Sequence, residues 1–279
     1  MAFKASNVRQ RKKPEPVAQG TQLIASAAVR EWYERQLRMA FKSMINDYKK
    51  ELNDALKAKD VQKHFAQDAS AEAVMTDVLK RLDKKWTTIF KNYAKMTAAA
   101  FIEKVDTHSR STVWHSLKVA GITRPNKTYS RNIENLLGAS QTFNNTLITN
   151  VQRDVHEKVF SAVMLSLTSP DPEQQGTSGI ENALRKVGEF SSKRIELIAR
   201  DQNSKLYSAL NIDRMRDNGV EKFMWIHSSA GKVPRPSHVA KDGEIFLLDD
   251  PRLWTGPKDD QGPPGFAINC GCRAVIVID

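Results

Sequence analysis

The amino-acid sequence predicts an α+β protein, in which a long mainly helical N-terminal region precedes a small C-terminal domain of two helices and a short antiparallel sheet. Two observations support this prediction. Between Thr21 and Ile122 the chain contains no proline and one glycine, Gly121, and these two residue types interrupt most regular structure. After Gly219 the apolar residues change from helical spacing to alternation, which is typical of strands.

The composition allows a packed core and limits the kinds of partner. Apolar residues make up 40% of the 279 residues and charged residues 27%, which argues against global disorder. No apolar run approaches the ~20 residues of a membrane-spanning helix, so we expect no membrane partner. The net charge of +11 suggests a polyanionic partner, with nucleic acid the first candidate. A solvated basic surface is the alternative.

The first part of the chain divides into a tail and a helical region. Residues 1–20 are basic and poor in apolar side chains, so we predict a flexible tail. Residues 21–167 contain long stretches with apolar residues three and four apart, which predict two long helices packed as an antiparallel hairpin. A third helical piece is expected at 111–119, and a later long helix is expected to be interrupted near Gly138. The aromatic residues of these stripes are interpreted as core.

A segment rich in proline, glycine and polar residues, 168–179, is the predicted linker to the C-terminal domain, 180–279. Ser178 is the predicted N-cap of the next helix. Gly188 is expected to separate that helix from a second one, which ends with Gly219 as a left-handed C-cap. Three strands are then expected, at 223–227, 244–248 and 274–278.

The last third of the chain carries a set of short motifs in a fixed order. They are Ile198-Ala199-Arg200-Asp201-Gln202, Phe223-Met224-Trp225, Arg235-Pro236-Ser237-His238, Asp242-Gly243, Pro263-Pro264 and Asn269-Cys270-Gly271-Cys272-Arg273. In this order and spacing the region resembles the phage Mu F-like head morphogenesis proteins, the minor head proteins of tailed phages. Two of these motifs depart from the family pattern. Many relatives have Arg-Thr-Glu at 200–202, and their Cys-Arg-Cys is Cys-Gly-Cys here, with the arginine at Arg273.

The resemblance implies a structural role in the phage head. Proteins of this kind are present in few copies and are associated with the portal, so the expected partners are the portal protein, the major capsid protein or both. The packaged DNA is the expected partner of the basic charge, through phosphate contacts without sequence reading. The expected location is the virion, inside the head or at the portal vertex, and the host cytoplasm during assembly.

The same resemblance singles out a structural signature in this sequence. It consists of Arg200, Trp225, Arg235, His238, Asp242, Gly243, Cys270, Cys272 and Arg273. No catalytic residue is expected among them.

The cysteines raise a second question, whether the C-terminal region binds metal. Structural zinc requires four ligands, usually thiolate or imidazole, and His238, Cys270 and Cys272 are three candidates. Some relatives have Cys-x-x-Cys before the Asp-Gly, and in this sequence Arg235 stands at the first of those cysteines and His238 at the second. Because arginine is not a zinc ligand, His227 or Asp242 would have to be the fourth ligand. The alternative requires no cofactor. Arg235 and His238 would then bond the Asp242-Gly243 turn or backbone carbonyls, and the thiols would pack as small apolar groups.

Two other functions remain as alternatives to a head protein. The first is a nucleic-acid-binding module with a small metal-stapled C-terminal domain. The second is a nuclease or cysteine hydrolase, because histidines, thiols and a carboxylate are the parts of such sites. The sequence contains no phosphate-binding loop, no nucleophile elbow and no paired acidic cluster of the kind that holds two metal ions, so we expect no enzymatic activity.

Overall fold

The structure is a computed structural model that describes residues 18–57, 69–171, 175–228 and 234–278. It confirms the α+β class, because four long helices are followed by a small antiparallel sheet. The helices are α1 Ala27–Lys57, α2 Ala69–Val119, α3 Arg131–Thr168, α4 Gly176–Asp217 and the short α5 Pro236–Ala240. The strands are β1 Ala18–Leu23, β2 Lys222–Ile226, β3 Ile245–Leu247 and β4 Arg273–Ile278.

Helices α1 and α2 form the predicted antiparallel hairpin. Tyr33 stacks on Phe101 with ring centroids 4.0 Å apart, and Phe41 contacts Phe90 at 4.7 Å. From the first of these contacts to the second, the residue number rises in α1 and falls in α2, so the two helices are antiparallel. All four rings are buried, so the aromatic stripe is core, as the sequence predicts.

Helices α3 and α4 complete the helical layer. Helix α4 packs against α1, α2 and α3, and apolar residues from all four helices belong to one buried cluster that also includes residues of the sheet. The last turn of α4 ends as predicted, with Asn218 as C-cap and Gly219 at φ 72°. Glycine adopts this left-handed conformation without the steric cost of a Cβ.

The sheet has the order β1-β4-β2-β3, and every pair is antiparallel. Strands β2, β3 and β4 occupy the three predicted positions. Strand β1 was not predicted, and it pairs with β4 so that Leu23 lies opposite Ala274. Helix α2 packs against β1 and β4, so the sheet contacts the N-terminal hairpin as well as the C-terminal region.

Three predicted helix breaks are wrong. Residues 111–119 are the end of α2, and Gly138 lies within the uninterrupted α3. Gly188 lies within α4, so the expected pair of helices is one long helix. A glycine inside a helix costs only about 1 kcal/mol of helix stability relative to alanine. Leu184, Val187 and Ile195, which flank Gly188, are buried in the core, and the free energy gained from their burial is larger than this cost.

Two predicted boundaries also change. Residues 18–20 belong to β1, whereas the rest of the predicted tail, residues 1–17, lies outside the described residues. Helix α3 includes Thr168, and α4 begins at Gly176 with Gln175 as N-cap, so the connection is 169–175 and Ser178 is not the cap. The division into a helical region and a C-terminal domain stays a prediction. Among the helices that the structure describes, none has an apolar stretch sufficient to span a membrane.

Candidate functional site

The candidate site lies where β2, α5 and the start of β4 meet. Alternation along β2 turns Phe223 and Trp225 to the buried face of the sheet. Pro236 occupies the first turn of α5, where its missing N–H and fixed φ are tolerated, and this helix carries His238. The chain then returns through a loop to Asn269, whose φ of 57° directs it into Cys270 and Cys272 just before β4.

His238 lies between the two thiols. Its Nδ1 atom is 3.4 Å from Sγ of Cys270 and 3.6 Å from Sγ of Cys272. All three side chains are buried, with 3%, 6% and 8% of their residue surface exposed. The imidazole also packs edge-on against Trp225 at a centroid distance of 5.1 Å. Both cysteines are free thiols.

Asp260 contacts the other side of the imidazole. Its Oδ1 atom is 3.0 Å from Nε2 of His238 and 3.1 Å from Nε of Arg235. Ser237 donates a hydrogen bond to Oδ2 of the same carboxylate, and Arg235 also donates to the carbonyl of Ile268 at 2.8 Å. The carboxylate thus lies against Nε2 of His238, whose hydrogen bond at this nitrogen is to the backbone carbonyl of Asp260 at 3.5 Å.

These contacts shift pKa values in opposite directions. Burial acts to lower the pKa of His238, but Cys270 and the Asp260 carboxylate outweigh it, so the pKa is raised. The pKa of Cys270 is lowered, chiefly because Cys272 donates a hydrogen bond to it and also because His238 is adjacent. The pKa of Cys272 is raised, chiefly by that same hydrogen bond. The two thiols are therefore unequal, and Cys270 is the more acidic of the pair.

Asp242 and Gly243 form a turn next to this cluster. The Asp242 carboxylate accepts a hydrogen bond from the backbone N–H of His227 at 2.8 Å. Gly243 has φ 78°, and its N–H donates to the carbonyl of Trp225 at 2.8 Å. These residues hold the end of β2. Arg235 and His238 contact backbone carbonyls and the Asp260 carboxylate. Within the described residues they do not bond the Asp242-Gly243 turn, which was one of the two predicted alternatives.

The two remaining signature arginines lie outside the cluster. Arg200 is an exposed residue of α4 that lines a cavity of about 240 Å³ together with Cys270 and Cys272. Arg273 donates from Nη1 to Oε1 of Gln22 at 3.0 Å, which ties β4 to β1. Within the described part of the chain neither guanidinium bonds the thiols or His238, so their roles are separate from that cluster's chemistry.

Asp260 and Ser237 are the site residues that sequence reasoning missed. Asp260 lies 22 positions after His238, in a loop with no period that would show which way its side chain points. Ser237 is part of the quoted Arg235-to-His238 motif, but a hydroxyl next to a proline carries no specific signal. Only the return of the loop onto α5 reveals both contacts.

Among the described residues, one group of three metal-ligating side chains converges, namely His238, Cys270 and Cys272, whose ligand atoms lie within 4.8 Å of one another. The arrangement permits three kinds of chemistry. It can act as a hydrogen-bonded staple, it can hold a thiophilic metal ion, and it places a thiol, an imidazole and a carboxylate in series.

Comparisons with known proteins bear on the region that contains this site. Residues 173–275 match the family model described as Phage Mu protein F like protein. An uncharacterized protein of Haemophilus influenzae is 31% identical over 284 residues, which cover 99% of this chain and 58% of that protein. The chain thus spans little more than half the length of this curated relative. No solved structure matches the chain. The C-terminal part of this chain, residues 173–275, is therefore similar to Phage Mu protein F.

Proposed function

We propose that this protein is a minor head protein of a tailed phage that acts in head morphogenesis. In this proposal it contacts the portal protein or the major capsid protein, and its basic charge contacts packaged DNA. It is located in the virion, inside the head or at the portal vertex, and in the host cytoplasm during assembly. The observation that carries the proposal is the family match over residues 173–275, which includes every signature residue.

The geometry of the matched region supports a structural role. Polar contacts of His238, Asp260 and Arg235 join α5 to the loop before β4, and the contact of His238 with Asp260 is largely buried. Ser208 of α4 donates to the carbonyl of Pro264 at 2.8 Å, which anchors the same loop to the helical layer. A loop held at several points presents a surface of defined shape, which suits assembly with another protein.

The proposed DNA contact rests on charge. The chain has 43 lysines and arginines against 32 acidic residues, a net charge of +11. Lysine and arginine bind phosphates without reading bases, so affinity for DNA should fall steeply as salt rises. Protein contacts that bury apolar surface are much less sensitive to salt.

Co-expression with the portal and capsid proteins of the same phage tests the proposal. We expect the chain to co-purify with the portal or capsid protein and to stay bound at about 1 M salt, where exposed charges are screened. Binding to DNA alone, lost at that salt, would instead support the nucleic-acid-binding module. Mass spectrometry of purified virions should detect the chain, and its absence from both virions and procapsids would contradict the proposal.

A second candidate, a cysteine hydrolase, has one observation in its favour. Cys270, His238 and Asp260 stand in series, as in a thiol–imidazole–carboxylate site. Both cysteines, however, have less than a tenth of their surface exposed. The thiol of Cys272 is also hydrogen-bonded to Sγ of Cys270. If the site were hydrolytic, a small alkylating reagent would label Cys270 faster than a model thiol and His238→Ala would abolish the labelling. We expect slow labelling of the folded protein.

A further inference from the structure

We propose that His238, Cys270 and Cys272 form a zinc site, in which Nδ1 of the histidine and the two Sγ atoms are three of four ligands. This inference does not depend on the proposed head function. It rests on the separations of the three atoms, on the groups around them and on a buried donor that lacks an acceptor.

The separations of the ligand atoms agree with zinc coordination. Tetrahedral zinc with Zn–S of about 2.3 Å and Zn–N of about 2.0 Å places nitrogen and sulfur about 3.5 Å apart and two sulfurs about 3.8 Å apart. Nδ1 of His238 is 3.4 and 3.6 Å from the two sulfurs. All three atoms lie within 4.8 Å of one another. A zinc ion therefore fits between them with small side-chain adjustments.

The second nitrogen of His238 is bonded as in zinc proteins. A ligating histidine usually donates its other ring N–H to a carboxylate, a backbone carbonyl or water, which fixes the tautomer and the ring orientation. Here Nε2 is hydrogen-bonded to the backbone carbonyl of Asp260 at 3.5 Å and lies 3.0 Å from the carboxylate of the same residue. Ser237 donates a hydrogen bond to that carboxylate. With the proton on Nε2, the lone pair of Nδ1 faces the sulfurs.

Donor groups lie around both sulfurs. The backbone N–H of Cys272 donates to Sγ of Cys270 at 3.4 Å. The indole Nε1 of Trp225, which is adjacent to Cys272, is buried and makes no hydrogen bond within the described residues. A metal-bound thiolate at Cys272 would be the acceptor that this N–H lacks. Two thiolates also neutralise the charge of Zn²⁺, which removes the cost of a buried net charge.

The fourth ligand comes from outside the three side chains. No fourth metal-ligating side chain of the described part of the chain joins the group. Both cysteines line the cavity of about 240 Å³, which is large enough for a water ligand. Two thiolates and an imidazole select zinc over magnesium or calcium, which prefer oxygen.

The ion would add a direct link between α5 and the start of β4 to the polar contacts that already join α5 to the intervening loop. His238 lies on α5, whereas the cysteines precede β4, and residues 249–272 between them contain only two short 3₁₀ turns. A zinc ion that binds the folded site and not the unfolded chain adds its binding free energy to stability. We therefore assign the site a structural role, as a clamp between α5 and β4.

Metal analysis of the purified full chain tests the inference. After incubation with Zn²⁺ under reducing conditions and removal of free ion, we expect about one zinc per chain. Cys270→Ser, Cys272→Ser and His238→Ala should each lower the zinc content at least tenfold. His115→Ala replaces an exposed histidine of α2 and serves as the matched control, which should keep its zinc.

A loss of zinc in a variant has meaning only if the variant folds, so the wild type provides a second test. Chelator-treated wild-type protein that keeps its circular dichroism spectrum should bind Co²⁺ and show thiolate-to-cobalt charge-transfer absorption. Less than about a tenth of an equivalent of zinc in folded wild type, or Co²⁺ binding without that absorption, would overturn the inference. Portal co-purification is a separate measurement. If the chain does not bind the portal protein, the zinc and cobalt measurements still test the metal site.

Discussion

Arg214 of α4 and Asp106 of α2 form a buried ion pair that joins the matched C-terminal region to the N-terminal hairpin. Their side chains are 4% and 9% exposed, and a guanidinium nitrogen bonds the carboxylate directly. Arg214 also donates to Ser109 at 2.6 Å, and Tyr129 donates to the second carboxylate oxygen. Every group of the pair has a partner on a different segment, so the network orients α4 on the hairpin.

Removal of Asp106 should be strongly destabilising. In Asp106→Ala the guanidinium of Arg214 stays buried without its counter-charge, which typically costs about 3–5 kcal/mol of unfolding free energy. Asp77→Ala breaks the exposed pair with Arg81, whose side chains are more than half exposed, and should cost less than about 1 kcal/mol. Urea unfolding followed by circular dichroism measures both. Similar losses for the two variants would show that the buried pair has no special role.

The carboxylate of Asp260 should control zinc affinity without being a ligand. Asp260→Asn keeps the shape but removes the negative charge 3.0 Å from Nε2 of His238, and loss of such a partner beside a ligating histidine typically lowers metal affinity about 10–100-fold. Asp259→Asn changes the exposed neighbouring carboxylate and is the control. Competition with a chromogenic chelator gives both affinities. Equal affinities for the two variants would mean that Asp260 does not position the histidine ligand.

A methyl group at Gly20 should disturb the docking of β1. A Cβ built there would lie 2.2 Å from Oγ and 2.7 Å from the backbone carbonyl oxygen of Ser116 on α2, and Ser116 also donates to the carbonyl of Thr21 at 2.9 Å. Because backbone atoms cannot move aside cheaply, we expect Gly20→Ala to lower stability by about 1–3 kcal/mol.

Gly138 provides the opposite case for the same substitution. It is exposed within α3 and has open space around a built Cβ, so Gly138→Ala should raise stability by about 0.5–1 kcal/mol through helix propensity. Thermal unfolding of both variants checks the signs. A stabilising Gly20→Ala would mean that β1 does not pack on α2 as the structure shows.

Asp250 should stabilise the loop that carries Asp260 in a pH-dependent way. It caps the 3₁₀ turn Pro251–Trp254, accepting a bond from the N–H of Arg252 at 2.9 Å. Hydrogen bonds from the Arg252 side chain are the main reason why the pKa of Asp250 is lowered. An acid with a lowered folded pKa stabilises the protein above its unfolded pKa of about 4, and this contribution is lost as the pH falls through the folded pKa.

Asp250→Ala should therefore cost about 1 kcal/mol at pH 7, the usual effect of a lost cap, and less near pH 3. Asp249→Ala, which changes an exposed neighbour, should have little effect at either pH. Thermal unfolding at the two pH values measures the difference. A loss in Asp250→Ala that does not change with pH would argue that the carboxylate charge plays no part.

Much of the fold could be predicted because helices and strands leave local patterns. The buried residues of α1, from Tyr33 to Leu56, recur three and four apart, and the end of α4 is marked by Gly219. The predicted breaks at Gly138 and Gly188 were wrong because packing on both sides outweighs the local preference of one glycine. Strand β1 was missed because a strand of mixed polar residues is defined by its partner, β4, which lies at the other end of the chain.

The sequence alone determined the helical stretches, the positions of β2, β3 and β4, and the resemblance of the last third to the Mu F-like proteins. It also named His238, Cys270 and Cys272 as candidates, because residue type and local spacing are properties of neighbouring positions. Only the tertiary structure decided that Nδ1 faces both sulfurs, that Asp260 holds Nε2 and that Arg214 meets Asp106. Those contacts depend on where the loop and the helices lie relative to distant segments, and packing of the whole chain sets these positions.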